Sequence, residues 1–254
     1  MFKSLLATLV VVCVSLGASA DVIEGLYNID FARNRGGVVW NASTDDTTNY
    51  LLETTTPGSN MTWNVHTMPE ANYSPGSSFM LEDLSTSTGQ ASTLSFAVDG
   101  ISSDGYSDET LRDGVWTSYL TKNNGLDGSQ DAATVTISGL SQDQSVNLVL
   151  YTGHARWGGA EDGSFTFDDT TKTFRQEGQT SSMPLVEGET YIRFDGLLPD
   201  VDGNIIGSYG QIDGGDGAAA WAGAQIQVIP EPASIGLLGL FGIVLILRHK
   251  LNKQ

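Results

Sequence analysis

The chain has 254 residues, 12 Lys+Arg against 30 Asp+Glu, a formal net charge of −18, one cysteine and three histidines. With no basic run to neutralise phosphates, that balance argues against a nucleic-acid binder and against a protein that rests on anionic headgroups. One cysteine allows no internal disulfide, and the few histidines have no Cys or His partner at ligand spacing, which argues against a zinc site.

Residues 1–20 read as a secretory signal. Lys3 supplies a positive n-region, residues 5–16 an apolar h-region, and Ala18 and Ala20 the small residues before a cut. Signal peptidase would leave Asp21 as the mature N-terminus. The alternative, a first membrane helix, is disfavoured because the apolar run is short and polar sequence follows at once. Cys13 lies in the h-region and leaves with it, so the mature chain has no thiol.

Setting aside Lys3, Arg248, Lys250, Lys253 and Glu231 leaves 8 basic and 29 acidic residues in 21–229, a body of about −21. That length suits one all-β domain. Short β-branched or alternating runs recur at 26–31, 38–40, 61–65, 94–98, 135–137, 146–151, 164–167, 191–194 and 224–229, separated by Gly, Asp, Asn, Ser and Thr. Residues 203–206 read as one more. The run Val146-Asn-Leu-Val-Leu-Tyr151 is nearly continuous in apolar character, as in a central strand covered on both faces. Before Pro230 there is no apolar stripe of helical period longer than two turns, so helix is minor. The pattern predicts an all-β sandwich or jelly roll. Within 66–130 the long polar connections, such as 99–114, predict an inserted loop region or an extra small sheet.

Candidates for chemistry are sparse. His66 and His154 are the histidines of the body, and no HExxH or Gly-x-Ser-x-Gly motif occurs. With 29 carboxylates any chosen acid/base pair is arbitrary, and the reading is non-enzymatic. Asp200, Asp202 and Asn204 place side-chain oxygens at alternating positions around Gly203. They are either ligands of a structural calcium ion, the one cofactor the chain suggests, or simply turn formers. Trp157, with Arg156 and His154 beside it and two glycines after it, follows the central strand. It is either a platform for a sugar ring or a core residue. Trp40, Trp63, Trp116 and Trp221 read as core or anchoring residues.

The chain closes with Pro230-Glu231-Pro232, 15 uncharged residues at 233–247, then Arg248, Lys250 and Lys253. As a helix, 233–247 would reach about 22 Å, short of a hydrocarbon core of about 30 Å. Thinning of the bilayer and snorkelling of the basic side chains would let it cross as a transmembrane helix. The basic cluster orients the C-terminus to the cytoplasm and the body to the opposite side. The prolines hold the junction extended and expose it.

This order of Pro-Glu-Pro, short apolar helix and basic tail resembles the PEP-CTERM sorting signal of Gram-negative-type bacteria, over residues 228–254. The resemblance implies that the membrane protease exosortase is a partner, beside signal peptidase. It also implies an inner-membrane-anchored precursor destined for the cell surface or extracellular matrix. An ordinary single-pass anchor is the alternative. The strand, Gly139-Leu140, turn and strand of 134–151, with the closing strand before Pro230, resemble the galactose-binding-like jelly roll found ahead of such tails. That resemblance implies an exported surface protein, with a carbohydrate-binding module that takes polysaccharide as the alternative and a secreted hydrolase behind it.

Overall fold

The structure, a computed structural model, describes residues 24–35, 38–40, 62–68, 76–106, 118–122, 132–152, 161–176, 186–212 and 219–230. Residues 1–20, read above as a signal, and the C-terminal residues 231–254 lie outside the described residues. Among the described residues every regular element is a strand. In chain order they are β1 (Gly25–Arg35), β2 (Val38–Trp40), β3 (Trp63–Met68), β4 (Ser77–Leu81), β5 (Ser95–Ile101), β6 (Ser103–Tyr106) and β7 (Ser118–Lys122). Then follow β8 (Ala133–Ser138), β9 (Gln144–Thr152), β10 (Glu161–Phe167), β11 (Thr170–Gln176), β12 (Tyr191–Leu197), β13 (Ile205–Gln211) and β14 (Ala219–Pro230).

They form two sheets packed as a sandwich. The larger, of eight strands, runs β12-β9-β14-β1-β2, with β3 parallel to β1 and the β6–β7 pair joined to β14. The smaller, of six strands, runs β11-β10-β13-β8-β5-β4 and is antiparallel throughout. All nine predicted runs overlap strands, with β3 beginning at Trp63 inside the 61–65 run and β5 at Ser95 inside the 94–98 run. The tenth, 203–206, is displaced: Gly203 and Asn204 belong to a turn and the strand begins at Ile205.

Corrections fall within 66–130. Neither an inserted loop nor a separate small sheet occupies its described part: β4 and β5 are full members of the smaller sheet, and β6 and β7 extend the larger one. The stretch 99–114, read as a connection, contains the end of β5 and all of β6. Its Gly and Asp residues mislead because Gly100, at φ +86, is a strand residue whose absent Cβ would sit 3.4 Å from the Ala133 Cα.

Alternation builds the smaller sheet. Along β8, Ala133, Val135 and Ile137 are buried while Thr134 is exposed, and β5 buries Phe96 and Val98 between more open neighbours. The larger sheet differs. Along β9, Val149 and Tyr151 are buried as well as Val146, Leu148 and Leu150, so the predicted interior strand is covered on both faces.

Between the sheets, Trp221 of β14 is fully buried at the centre of an aromatic cluster. Its ring lies 5.1 Å from Phe31, 5.7 Å from Phe96, 5.3 Å from Phe165 and 5.5 Å from Tyr209. These are edge-to-face arrangements, which the ring quadrupoles favour. The indole N–H donates to the Gly223 carbonyl at 2.8 Å and the Tyr209 hydroxyl donates to the Ala219 carbonyl, so both polar tips are satisfied inside the core. Trp221 is thus the core residue that the sequence suggests. Room for the rings comes from glycine: a Cβ on Gly207 would lie 2.3 Å from the Phe167 ring, and one on Gly163 2.3 Å from the Phe174 ring.

Candidate functional site

The ends of the larger sheet organise the candidate residues. β1 and β14 pair antiparallel with Gly25 opposite Val228, so the body's first and last strands meet at one end of the sandwich. Pro230 closes β14 there, opposite Gln144, and is exposed. Its ring nitrogen has no hydrogen to donate, which suits the last residue of a ladder. Glu231 and Pro232, like Arg248, Lys250, Lys253, Ala18 and Ala20, lie outside the described residues.

The 200–204 turn stands at this same end. Asp200 Oδ1 accepts the backbone N–H groups of Asp202 at 2.9 Å and Asn204 at 2.8 Å, while the Asp200 N–H donates to the Asn204 carbonyl at 2.8 Å. Gly203, at φ +80, passes so close to the chain before β9 that a Cβ would lie 2.3 Å from the Leu140 carbonyl oxygen. The Leu140 N–H donates to the Gly203 carbonyl at 3.1 Å, and Gln142 Nε2 to the Val201 carbonyl at 3.1 Å. One carboxylate oxygen is therefore committed to folding the backbone, the chemistry that makes Asp a turn residue. Among the described residues no three His, Cys, Asp or Glu side chains gather as a metal-holding group.

At the other end β9 finishes at Thr152, opposite Trp221. His154, Arg156 and Trp157 follow and lie outside the described residues. The nine residue steps of β14 from Trp221 to Pro230 put this end about 30 Å from Pro230. The 200–204 turn and the end of β9 at Thr152 thus stand at opposite ends of the larger sheet.

A third feature has no counterpart in the sequence reading. On the face of the larger sheet turned away from the smaller one, Tyr151 Oη donates to Gln225 Oε1 at 2.6 Å, Gln225 Nε2 donates to Asn28 Oδ1 at 2.9 Å, and Asn28 Nδ2 donates to the Thr62 carbonyl at 3.3 Å. Tyr151, Gln225 and Asn28 are at most 1% exposed. Toward the termini Asn147 Nδ2 donates to Gln227 Oε1 at 3.1 Å, and Asn147 Oδ1 accepts the Gly196 N–H at 3.0 Å. Each amide bonds a neighbouring strand, so the network fixes the register of β9, β14 and β1, where a one-residue slip would bury unpaired polar groups. The signal was present in the alternation Tyr27-Asn28-Ile29-Asp30 and Gln225-Ile226-Gln227, which puts amides where a doubly covered strand would carry aliphatics.

His66 sits at the core margin. Its ring stacks on Phe79 at 3.7 Å and 13°, and Phe79 meets Phe31 edge-on at 5.7 Å. Burial pushes its pKa down from 6.5 to about 4, so the imidazole is neutral at ordinary pH and serves as a packing ring.

No family model matches the chain, and no curated protein matches it. Among solved structures it is similar to an exo-β-1,3-galactanase from Phanerochaete chrysosporium in complex with galactose, at 15% identity and a TM-score of 0.27, over 63% of this chain and 29% of that one. The chain thus spans less than a third of that enzyme's length, and so distant a likeness transfers neither its activity nor its galactose.

Proposed function

We propose that this is a non-enzymatic, exported cell-surface or extracellular-matrix protein, its body a galactose-binding-like jelly roll and its C-terminus a PEP-CTERM signal read by exosortase. What supports the reading is the shared end of β1 and β14. Gly25 lies beside Val228, so the strand that follows the predicted cut at Asp21 and the strand that leads into the Pro230-Glu231-Pro232 motif meet at one end, and Pro230 is exposed there. A precursor held at the inner membrane by both segments could fold its body without threading a strand past either. The transmembrane helix 233–247 would then serve as a temporary anchor. The test is a mass spectrum of the protein from an exosortase-bearing host. Expected are an N-terminus at Asp21 and loss of the residues after about Pro232. Replacing Pro230, Glu231 and Pro232 with alanine should leave an unprocessed, membrane-bound precursor, and normal processing of that variant would refute the reading.

A carbohydrate-binding role is the second reading, favoured by the placement of Thr152. The segment carrying Trp157, Arg156 and His154 departs from the end about 30 Å from Pro230, where a polysaccharide could approach clear of the membrane. If Trp157 is the platform, Trp157→Ala weakens binding on a glycan array about tenfold to a hundredfold, equivalent to roughly 1 to 3 kcal/mol, without unfolding the body.

A further inference from the structure

The outer face of the smaller sheet carries few charges on its strands. One register row crosses all six strands, from Ser78 through Asp99, Thr134, Ser208 and Thr166 to Thr171. The next row runs Met80, Ala97, Thr136, Ile206, and its two ends are large apolar side chains 57% and 56% exposed. On these strands the face carries Asp99 and an ion pair, Arg175 Nη1 to Asp162 Oδ2 at 2.8 Å, as its charges. Arg175 and Asp162 stand in register near one corner. In a body of about −21, this patch is close to neutral and built mostly of short side chains. Among the described residues it has no aromatic ring to lie against a sugar.

We infer that this face docks a second copy of the chain, sheet against sheet. Charge argues for that occupant. Two copies of a body so acidic repel over most approaches, and the repulsion is small where a face whose strands carry Asp99 and one ion pair meets its own image. Geometry argues for a two-fold pair. An axis lying in the interface along the strands, midway between β5 and β8, sets β5 over the partner's β8 and β4 over the partner's β13. Met80 then meets the partner's Ile206, and Ala97 meets the partner's Thr136. Each exposed apolar side chain thereby covers the other, and Asp99 faces the hydroxyl of the partner's Thr134 instead of a second carboxylate. Such an interface is isologous and closes on itself. Four overlapping strands at about 4.8 Å spacing and roughly 17 Å of length give on the order of 1,000 Å² buried in all, the small end of specific interfaces, so the pair forms weakly and with rising concentration.

Sedimentation equilibrium of the protein recovered from cells expressing the full chain, under one set of buffer and detergent conditions, tests this. Wild type should dimerise more strongly as salt rises, because screening relieves the repulsion between acidic bodies. Met80→Lys and Ile206→Glu should each weaken the dimer at least tenfold at unchanged melting temperature, since both positions are exposed. Mixing the two variants should restore association, because one Met80–Ile206 contact survives and the other becomes a Lys–Glu pair. Failure of the mixture to exceed both single variants overturns the two-fold arrangement. A monomeric wild type, or a dimer indifferent to both substitutions, overturns the docking face altogether. Loss of polysaccharide-column retention in Met80→Lys, with a monomeric wild type, assigns the face to a glycan and equally refutes self-association.

Discussion

His66 makes stability depend on pH with a predictable sign. Unfolded, its imidazole titrates near 6.5; folded, burial against Phe79 lowers the value to about 4. The folded form thus holds the neutral ring where the unfolded chain binds a proton. The contribution is complete above pH about 6.5 and is lost progressively as pH falls from there toward 4, below which this group adds no further change. Linkage over such a shift is worth at most about 3 kcal/mol, and solvent screening of a half-buried ring reduces that to about 1 to 2 kcal/mol. The assay is urea unfolding at pH 7.5, 5.5 and 4.0 for wild type and His66→Phe. Phenylalanine keeps an aromatic ring at the stack and removes the titration. Carboxylates titrate in both proteins and cancel in the difference. Any fixed offset from exchanging the rings shifts all three points equally. The wild type should lose about 1 to 2 kcal/mol relative to the variant between pH 7.5 and 4.0, and a difference that does not vary with pH would refute the reasoning.

Further outcomes follow from packing and turn chemistry. Gly207→Val drives a side chain into the Phe167 ring, 2.3 Å from where its Cβ would stand, and should lower urea-unfolding stability by about 2 kcal/mol or more. Trp221→Ala empties the centre of the aromatic cluster and should cost about 3 to 5 kcal/mol by the same assay. The two-residue turn from β10 to β11 holds Asp168 at φ 47 and Asp169 at φ 57, so the pair Asp168→Asn and Asp169→Gly should raise the melting temperature, by about 0.5 to 1 kcal/mol in stability. Asp200→Ala removes the acceptor of two backbone N–H groups and should lower stability by about 1 to 2 kcal/mol. Melts with Ca²⁺ and with chelator should coincide if turn formation is the whole role of 200–204, whereas a Ca²⁺-dependent rise that disappears in Asp202→Ala would make the turn a metal site.

The strands that sequence pattern revealed are those whose burial is written in their own residues. β8 alternates apolar and hydroxyl side chains, and β9 is nearly continuous in apolar character. Four strands escaped notice because pairing, not composition, makes them strands. β11, Thr-Thr-Lys-Thr-Phe-Arg-Gln, buries Phe174 while its other described side chains are open or half-buried, and its register is set by β10 across a turn of two aspartates where Asn-Gly would have announced a hairpin. β6 and β7 carry little apolar pattern and are held by each other and by β14. The candidate site was legible unevenly. The turn chemistry of 200–204 follows from Asp and Gly spacing, yet its distance from the end where β9 hands over to Trp157 is a property of topology. The Tyr151, Gln225 and Asn28 relay joins residues up to 197 positions apart in the chain.

The placement of β14 bears on any processing at the C-terminus. It lies between β9 and β1, bonding β9 from Trp221 to Pro230 and β1 from Gly223 to Val228, and it supplies Trp221 to the core and Gln225 to the polar relay. Its removal would unpair both flanking strands, and it would also take away the Ala219 carbonyl that Tyr209 of the opposite sheet bonds. A cut at Pro232 or later leaves the ladder through Pro230 intact. A cut at Gln225 would strip the register from the amino-terminal half of β1 and leave Asn28 without its amide partner in the buried relay, a loss of several kcal/mol against a total stability of about 5 to 15 kcal/mol. The exposed Pro230 therefore marks the earliest position on β14 at which a cut leaves its pairing with β1 and β9 intact, and the strand before it, held between those two neighbours over 223–228, is not free to enter an extended-substrate groove.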